Sequence, residues 1–332
     1  MTTRVVHKLK DYLLLNAYSL NSNGLINGKA GISLCLFELS QYLHDESLED
    51  KAFELLQESL ALSSKGDTIN FEAGLSGIGF VLLYLIENRM LDADYEDLFD
   101  EQNQKILSQL LKQSDFSVRD LSYVYFLELL SSLVKKEETC VLIDKIFADI
   151  EKSLCEQLET FDSINSGIPK LKVLTDLDAY FKALYQCKKN PALSLIKKYT
   201  ELYEKGKIAS LFSTGCYLEN LDSSGDFSCT IRTIKENAFQ NIHPASLSLS
   251  QRIDLSYLLT GERHLYQKQI ELLEQDLFDF SNPDYEKHLI QLILNRGLLA
   301  GYGSGIARLL LYWVYRENKR NGSECSRFKY IF

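Results

Sequence analysis

Three residues could together hold a soft metal ion: Cys216, Cys229 and His243. Zinc needs three or four N or S ligands converging at about 2.0–2.3 Å, and once bound it lowers the pKa of a thiol or water. The spacings, thirteen and fourteen residues, match no compact ligand signature. The competing reading makes the cysteines loop or core thiols and His243 a turn residue before Pro244. Two carboxylates, Glu72 and Asp162, could work as an acid–base pair of the kind that hydrolyses glycosides, which requires a set separation. Each also has a structural role open to it. Glu72 can be a first-turn acid favoured by the helix dipole, and Asp162 can be an N-cap. His7, His44, His264 and His288 lie in polar or amphipathic stretches and read as surface or satisfied histidines. Ser213 and Ser223 have no G-x-S-x-G frame, so a hydrolase triad has no support.

Helices must position these groups. Ile32, Leu36, Leu39 and Leu43 form an apolar stripe, and Phe53, Leu56, Leu60 and Ser63 repeat the spacing. Further stripes run through Leu142–Ile150, Leu195–Leu202, Leu289–Ile293 and Leu309–Val314. Strand-like alternation is almost absent. The least helical stretch, 212–227, is rich in Ser, Gly, Asp and Asn and reads as an internal loop.

Glycines cluster where several helices start. Gly28-Lys-Ala-Gly31-Ile32 precedes one stripe and Gly74-Leu-Ser-Gly77-Ile78 another, sharing G-x-[AS]-G-I. A third cluster, Gly301-Tyr-Gly-Ser-Gly305-Ile306, matches at Ser304-Gly305-Ile306, with Tyr302 where the first glycine belongs. Asp162-Ser-Ile-Asn-Ser-Gly167-Ile168 is a weaker relic. Glycine inside a helix costs about 1 kcal/mol relative to alanine, so the clusters need a reason. Close approach of helix ends, positive φ, or free N–H groups facing a shared cavity would each supply one. No strand pattern precedes the glycines, which excludes a dinucleotide-binding reading.

Such motifs opening successive helices of an all-helical chain resemble the lanthionine synthetase C-like family. The resemblance rests on Gly24–Leu39, Gly74–Leu85 and Gly297–Trp313. It implies an α/α barrel, or toroid, of helical hairpins whose inner helices start at the glycines. It also implies a peptide cleft near Glu72, Gly28, Gly31, Gly74, Gly77, Gly301 and Gly305, with Asp162 helping proton transfer. Cyclases of the family bind zinc through two cysteines and a histidine, activating a peptide thiol that adds to a dehydroamino acid and closes a thioether ring. Their Trp-Cys-x-Gly and Cys-His-Gly motifs are missing here. The only tryptophan is Trp313, and the nearest echoes are Gly215-Cys216-Tyr217 and Ile242-His243-Pro244.

Composition sets the outer bounds. With 36 Lys+Arg against 46 Asp+Glu the net charge is −10, which argues against a basic nucleic-acid binder. Four prolines in 332 residues favour long helices. Seven cysteines without a C-x-x-C pair read as reduced thiols in a cytoplasmic protein. The apolar run after the first ten residues is broken by Asn16, so no signal peptide is expected. The longest apolar or small-residue run, Gly74–Ile86, is thirteen residues, short of the roughly 20 that span a bilayer.

The sequence thus leads to one all-α barrel domain over 1–332, with an internal loop near 212–227. The expected function is a divergent, zinc-free protein of bacterial lanthipeptide-type maturation. Its partners would be a precursor peptide or a peptide-modifying enzyme, with no nucleic acid and no membrane span. A zinc cyclase with rearranged ligands and an α/α-barrel glycosidase are the alternatives.

Overall fold

The computed structural model describes residues 2–63, 68–135, 137–163, 167–209, 211–222, 224–240, 244, 247–261, 263–275, 277–279, 282, 284–294, 300–323 and 325–332. His243, Ser223 and Gly297 lie outside them. The described residues form an all-α fold of fifteen α-helices, without a strand. The helices divide between two compact units, Met1–Gln109 with Pro244–Phe332, and Leu110–His243. None of the described helices is long and apolar enough to cross a membrane.

The first unit holds α1 (Thr2–Ala17), α2 (Lys29–Leu43), α3 (Glu46–Ser63), α4 (Leu75–Glu87), α12 (Leu249–Thr260), α13 (Arg263–Glu274), α14 (Tyr285–Leu294) and α15 (Ile306–Arg320), plus most of α5 (Tyr95–Lys112). Three of these helices are buried along most of their length: α2 from Lys29 to Ser40, α4 from Leu75 to Leu85, and α15 from Ile306 to Tyr315. Helix α2 packs on α15, α4 and α1, and forms a tight hairpin with α3. Small residues allow that hairpin: Ser33 Oγ donates to the Ala52 carbonyl across it at 2.6 Å. The Lys29 ammonium meets Glu58 at 2.5 Å. The hairpin turns at His44, which takes the left-handed conformation at φ 54° and donates its N–H to the Ser40 carbonyl.

The seam of α3 is displaced from the stripe read in the sequence. Leu48, Ala52, Leu55, Leu56 and Ser59 are buried, and Phe53 is exposed. Close approach of the two helices, marked by the Ser33–Ala52 hydrogen bond, suits the small Ala52 at the seam and leaves the larger Phe53 outside it.

The second unit holds α6 (Leu121–Val134), α7 (Glu137–Glu159), α8 (Gly167–Cys187), α9 (Leu193–Glu204), α10 (Phe212–Leu221) and α11 (Ser228–Gln240). Helices α6 and α7 pair, as do α10 and α11, and α8 packs on α10, α6 and α7. The Leu142–Ile150 and Leu195–Leu202 stripes are buried as expected. Glu151 of α7 accepts from the Tyr180 hydroxyl at 2.6 Å and from the Ala192 N–H at 3.0 Å, tying α8 and the start of α9 to α7.

The expected loop over 212–227 is mostly helix. Residues Phe212–Leu221 form α10, and of the rest the described residues 222 and 224–227 lie outside a helix. Gly215 does not break α10, because it is a contact point: a Cβ there would lie 2.9 Å from Lys235 Cα of α11. Thr214, Cys216, Tyr217 and Leu218 are buried beside it. The polar composition belongs to the turn, where the Asp222 carboxylate accepts from the Gly225 and Phe227 amides and from the Ser224 hydroxyl.

Candidate functional site

The glycine-rich starts of α2, α4 and α15 meet in the first unit. Gly28, Gly74 and Gly305 are their N-caps, all with extended backbone (φ −134°, −116° and −108°). Positive φ is therefore not why they are glycines. Each loop curls back over its own helix start. The Gly74 N–H donates to Asn70 O at 3.0 Å and the Gly305 N–H to Gly301 O at 3.0 Å, while Lys29 N–H donates to Ser22 O and Leu75 N–H to Thr68 O. A Cβ on Gly28 would meet Gly24 O at 2.5 Å, and one on Gly74 would collide with Thr68 O.

The loops also lock onto one another. The Ile26 N–H donates to Glu72 O at 2.9 Å, and the Gly303 N–H donates to Ile26 O at 3.1 Å. A Cβ on Gly77 would sit 2.9 Å from Leu25 Cβ, and one on Gly31 would sit 2.7 Å from Tyr302 Cβ. The glycines are thus the price of stacking three helix starts in contact.

The third motif has a different register from the one read in the sequence. As N-cap, Gly305 corresponds to Gly28 and Gly74, not to Gly31 and Gly77. Gly301 then matches Gly24 and Asn70, and Arg308 takes the place of Gly31 and Gly77. Ser304-Gly305-Ile306 matches the letters of the other motifs, but the helix starts three residues later relative to them.

Three ionic groups on these helices are buried: Lys29, already placed against Glu58, Arg308 and Glu38. Arg308 donates from Nη1 to Ile331 O at 3.1 Å, pairs with Asp254, and lies 5.3 Å over the Phe332 ring. Glu38 of α2 is fully buried. Arg327 grips it with two hydrogen bonds, Nε to Oε1 at 2.9 Å and Nη2 to Oε2 at 3.0 Å. The Tyr84 hydroxyl of α4 donates to the same Oε1 at 2.5 Å. Burial, then the Glu38 charge, pushes the Tyr84 phenol well above its ordinary range. Sequence reasoning missed Glu38, Tyr84, Arg308 and Arg327. The available signal was a lone charge inside an otherwise apolar helix, Glu38 in Ala30–Leu39 and Arg308 in Ile306–Val314.

The residues singled out from sequence are placed apart from this cluster or serve it through backbone. Glu72 is exposed and takes part through its carbonyl. Asp162 lies on an exposed 3₁₀ turn of the second unit, 61% accessible, and pairs with Lys207 at 3.5 Å. Cys216 is buried in α10 and Cys229 exposed at the start of α11. The hairpin of α10 with α11 carries both cysteines, and His243 falls outside the described residues. Among the described residues no three His, Cys, Asp or Glu side chains form a group that could hold a metal. His7, His44 and His264 are exposed. Burial raises the Cys35 thiol, away from nucleophilic chemistry.

Comparison with protein-family models and with curated protein sequences finds no match.

Proposed function

We propose that this chain is a divergent lanthionine synthetase C-like protein of bacterial peptide maturation. In this reading it is an α/α barrel that works without zinc, binding a precursor peptide or the enzyme that modifies it. The glycine motifs at Gly28, Gly74 and Gly305 support the family reading, since each opens a buried helix of a helical fold.

One observation carries the choice of binding over catalysis. Along α2, α4 and α15 the buried groups capable of chemistry already serve the fold. Glu38 is held by Arg327 and Tyr84, Arg308 by Asp254 and Ile331 O, and Glu72 contributes only its carbonyl. Both oxygens of the buried Glu38 carboxylate already accept hydrogen bonds, from the arginine fork and the phenol, so the fold occupies it. The burial of Cys216 against the exposure of Cys229 supports the same choice.

The test is an affinity capture with the immobilised full chain, paired with elemental mass spectrometry of protein purified without chelators. The expected result is capture of a Ser-, Thr- and Cys-containing precursor peptide or its modifying enzyme, with zinc far below one equivalent. Recovery of neither partner overturns the reading, and near-stoichiometric zinc that is lost in Cys216→Ala turns it into the cyclase alternative.

A further inference from the structure

The segment after α15 is seated in the first unit as a peptide in a site. Helix α15 ends at Arg320, and exposed Asn321, Gly322 and Ser323 lead out of it, with Gly322 at φ 75°. The chain then turns back. Arg327 reaches the buried Glu38, and Phe328, Ile331 and Phe332 are buried. Phe328 meets the Tyr315 ring edge-on at 5.5 Å. Phe332 packs against Tyr257 at 5.2 Å and Tyr312 at 5.7 Å, under the Arg308 guanidinium. The Ile331 carbonyl accepts from Arg308 and, at 3.5 Å, from the Tyr302 hydroxyl.

These walls read a peptide at three kinds of point. Glu38 and Tyr84 present a buried carboxylate edge that matches a guanidinium fork and poorly matches a lysine ammonium. Tyrosine faces take two aromatic rings. Arg308 and Tyr302 hold one backbone carbonyl. Emptying the site would leave the buried Glu38 carboxylate with the Tyr84 hydroxyl and without its guanidinium, so any replacement must bring its own arginine. Ser326 is exposed and Lys329 and Tyr330 are half-buried, so they carry little of the recognition.

We propose that the walls around residues 327–332 form a peptide-binding site for a partner segment bearing arginine followed by an aromatic residue and, four positions on, a second aromatic. Residues 327–332 are its resident occupant in cis. This rests on the peptide-binding reading and names the class of peptide that the site takes.

The test keeps folding intact by cutting the tether only afterwards. A protease site is inserted between Gly322 and Ser323 of the full chain, and the folded protein is nicked. A fluorescent peptide of the sequence 323–332 is then added, followed by anisotropy, size-exclusion chromatography and circular dichroism. The expected result is exchange of the cut segment for the labelled peptide with the helical signal retained. A peptide carrying Arg327→Ala should bind at least tenfold more weakly, one carrying Arg327→Lys should also lose affinity, and Glu38→Gln in the protein should remove the preference for arginine. Retention of the cut segment against excess peptide overturns the proposal, as does loss of helix when it leaves, because either makes the segment a structural strap. The affinity capture reads separately. A captured precursor with no exchange in the nicked protein removes this site alone. Exchange with no captured precursor or enzyme removes the maturation role and leaves the site standing.

Discussion

Gly77 is where a single methyl group separates helix propensity from packing. Alanine is preferred over glycine in a helix by about 1 kcal/mol, yet here its Cβ would collide with Phe71 O and press on Leu25 Cβ at 2.9 Å. We expect Gly77→Ala to lower stability by about 1–3 kcal/mol, seen as a lower urea midpoint at unchanged slope. Gly167→Ala, with nothing within 4 Å of the new Cβ, should be neutral or slightly stabilising. Arg327→Ala strands the Glu38 carboxylate and should cost about 3–5 kcal/mol, with Arg327→Lys between it and the native protein. Thiol chemistry reports on the cysteines: Cys140 and Cys229 should react in the native state, while Cys35, Cys187 and Cys216 should need denaturant. At this scale the sequence disclosed the glycines and not their reason. Two motifs could be read in register because both keep a glycine at the third helical position. Where Arg308 stands there instead, the letter match slid by three residues. Glu38 was invisible because a lone acid in an apolar helix declares itself only when its partner is known, and Arg327 lies 289 residues away.

Helices were the most legible level. The stripes on α7, α9 and α15 emerged as buried faces because long amphipathic segments carry many independent votes for one period. The stretch 212–227 misled because Gly, Ser and Asp have the same letters in a turn and in a close helix–helix contact. Native-state hydrogen exchange separates the two: amides of 216–221 should be protected as α10 and those of 224–226 should exchange quickly. Gly215→Ala should then raise exchange in both α10 and α11, since its Cβ would press on the Lys235 backbone. On α3 the buried seam is Leu48, Ala52, Leu55, Leu56 and Ser59, and a rule that counts large apolar residues passes over Ala52 and Ser59.

Across the molecule, buried tyrosines govern the alkaline limit. Burial pushes the Tyr302 phenol up to about 12, and burial also raises Tyr84, Tyr180, Tyr199, Tyr285 and Tyr312. A raised folded-state pKa holds the proton that the unfolded chain releases near pH 10, so the stability it contributes is complete below pH 10 and drains away above it, for Tyr302 by about pH 12. Phenolate absorbance should therefore lag that of free tyrosine, then rise cooperatively with loss of helix; a titration spread evenly from pH 10 with no unfolding step would contradict it. The all-α class was plain from the sequence. The partition of the chain was not, because the first unit is assembled from two stretches, 1–109 and 244–332, with no change of composition at either seam. The grip of Arg327 on Glu38 gives that partition a temporal meaning. A ribosome adds about 5–20 residues each second, so the acid waits roughly a quarter of a minute to a minute for its arginine. Throughout that wait the amino-terminal helices carry a charge that they cannot bury. A chain that stops before Arg327 should therefore leave that carboxylate without its guanidinium and be cut faster by protease than one that carries it.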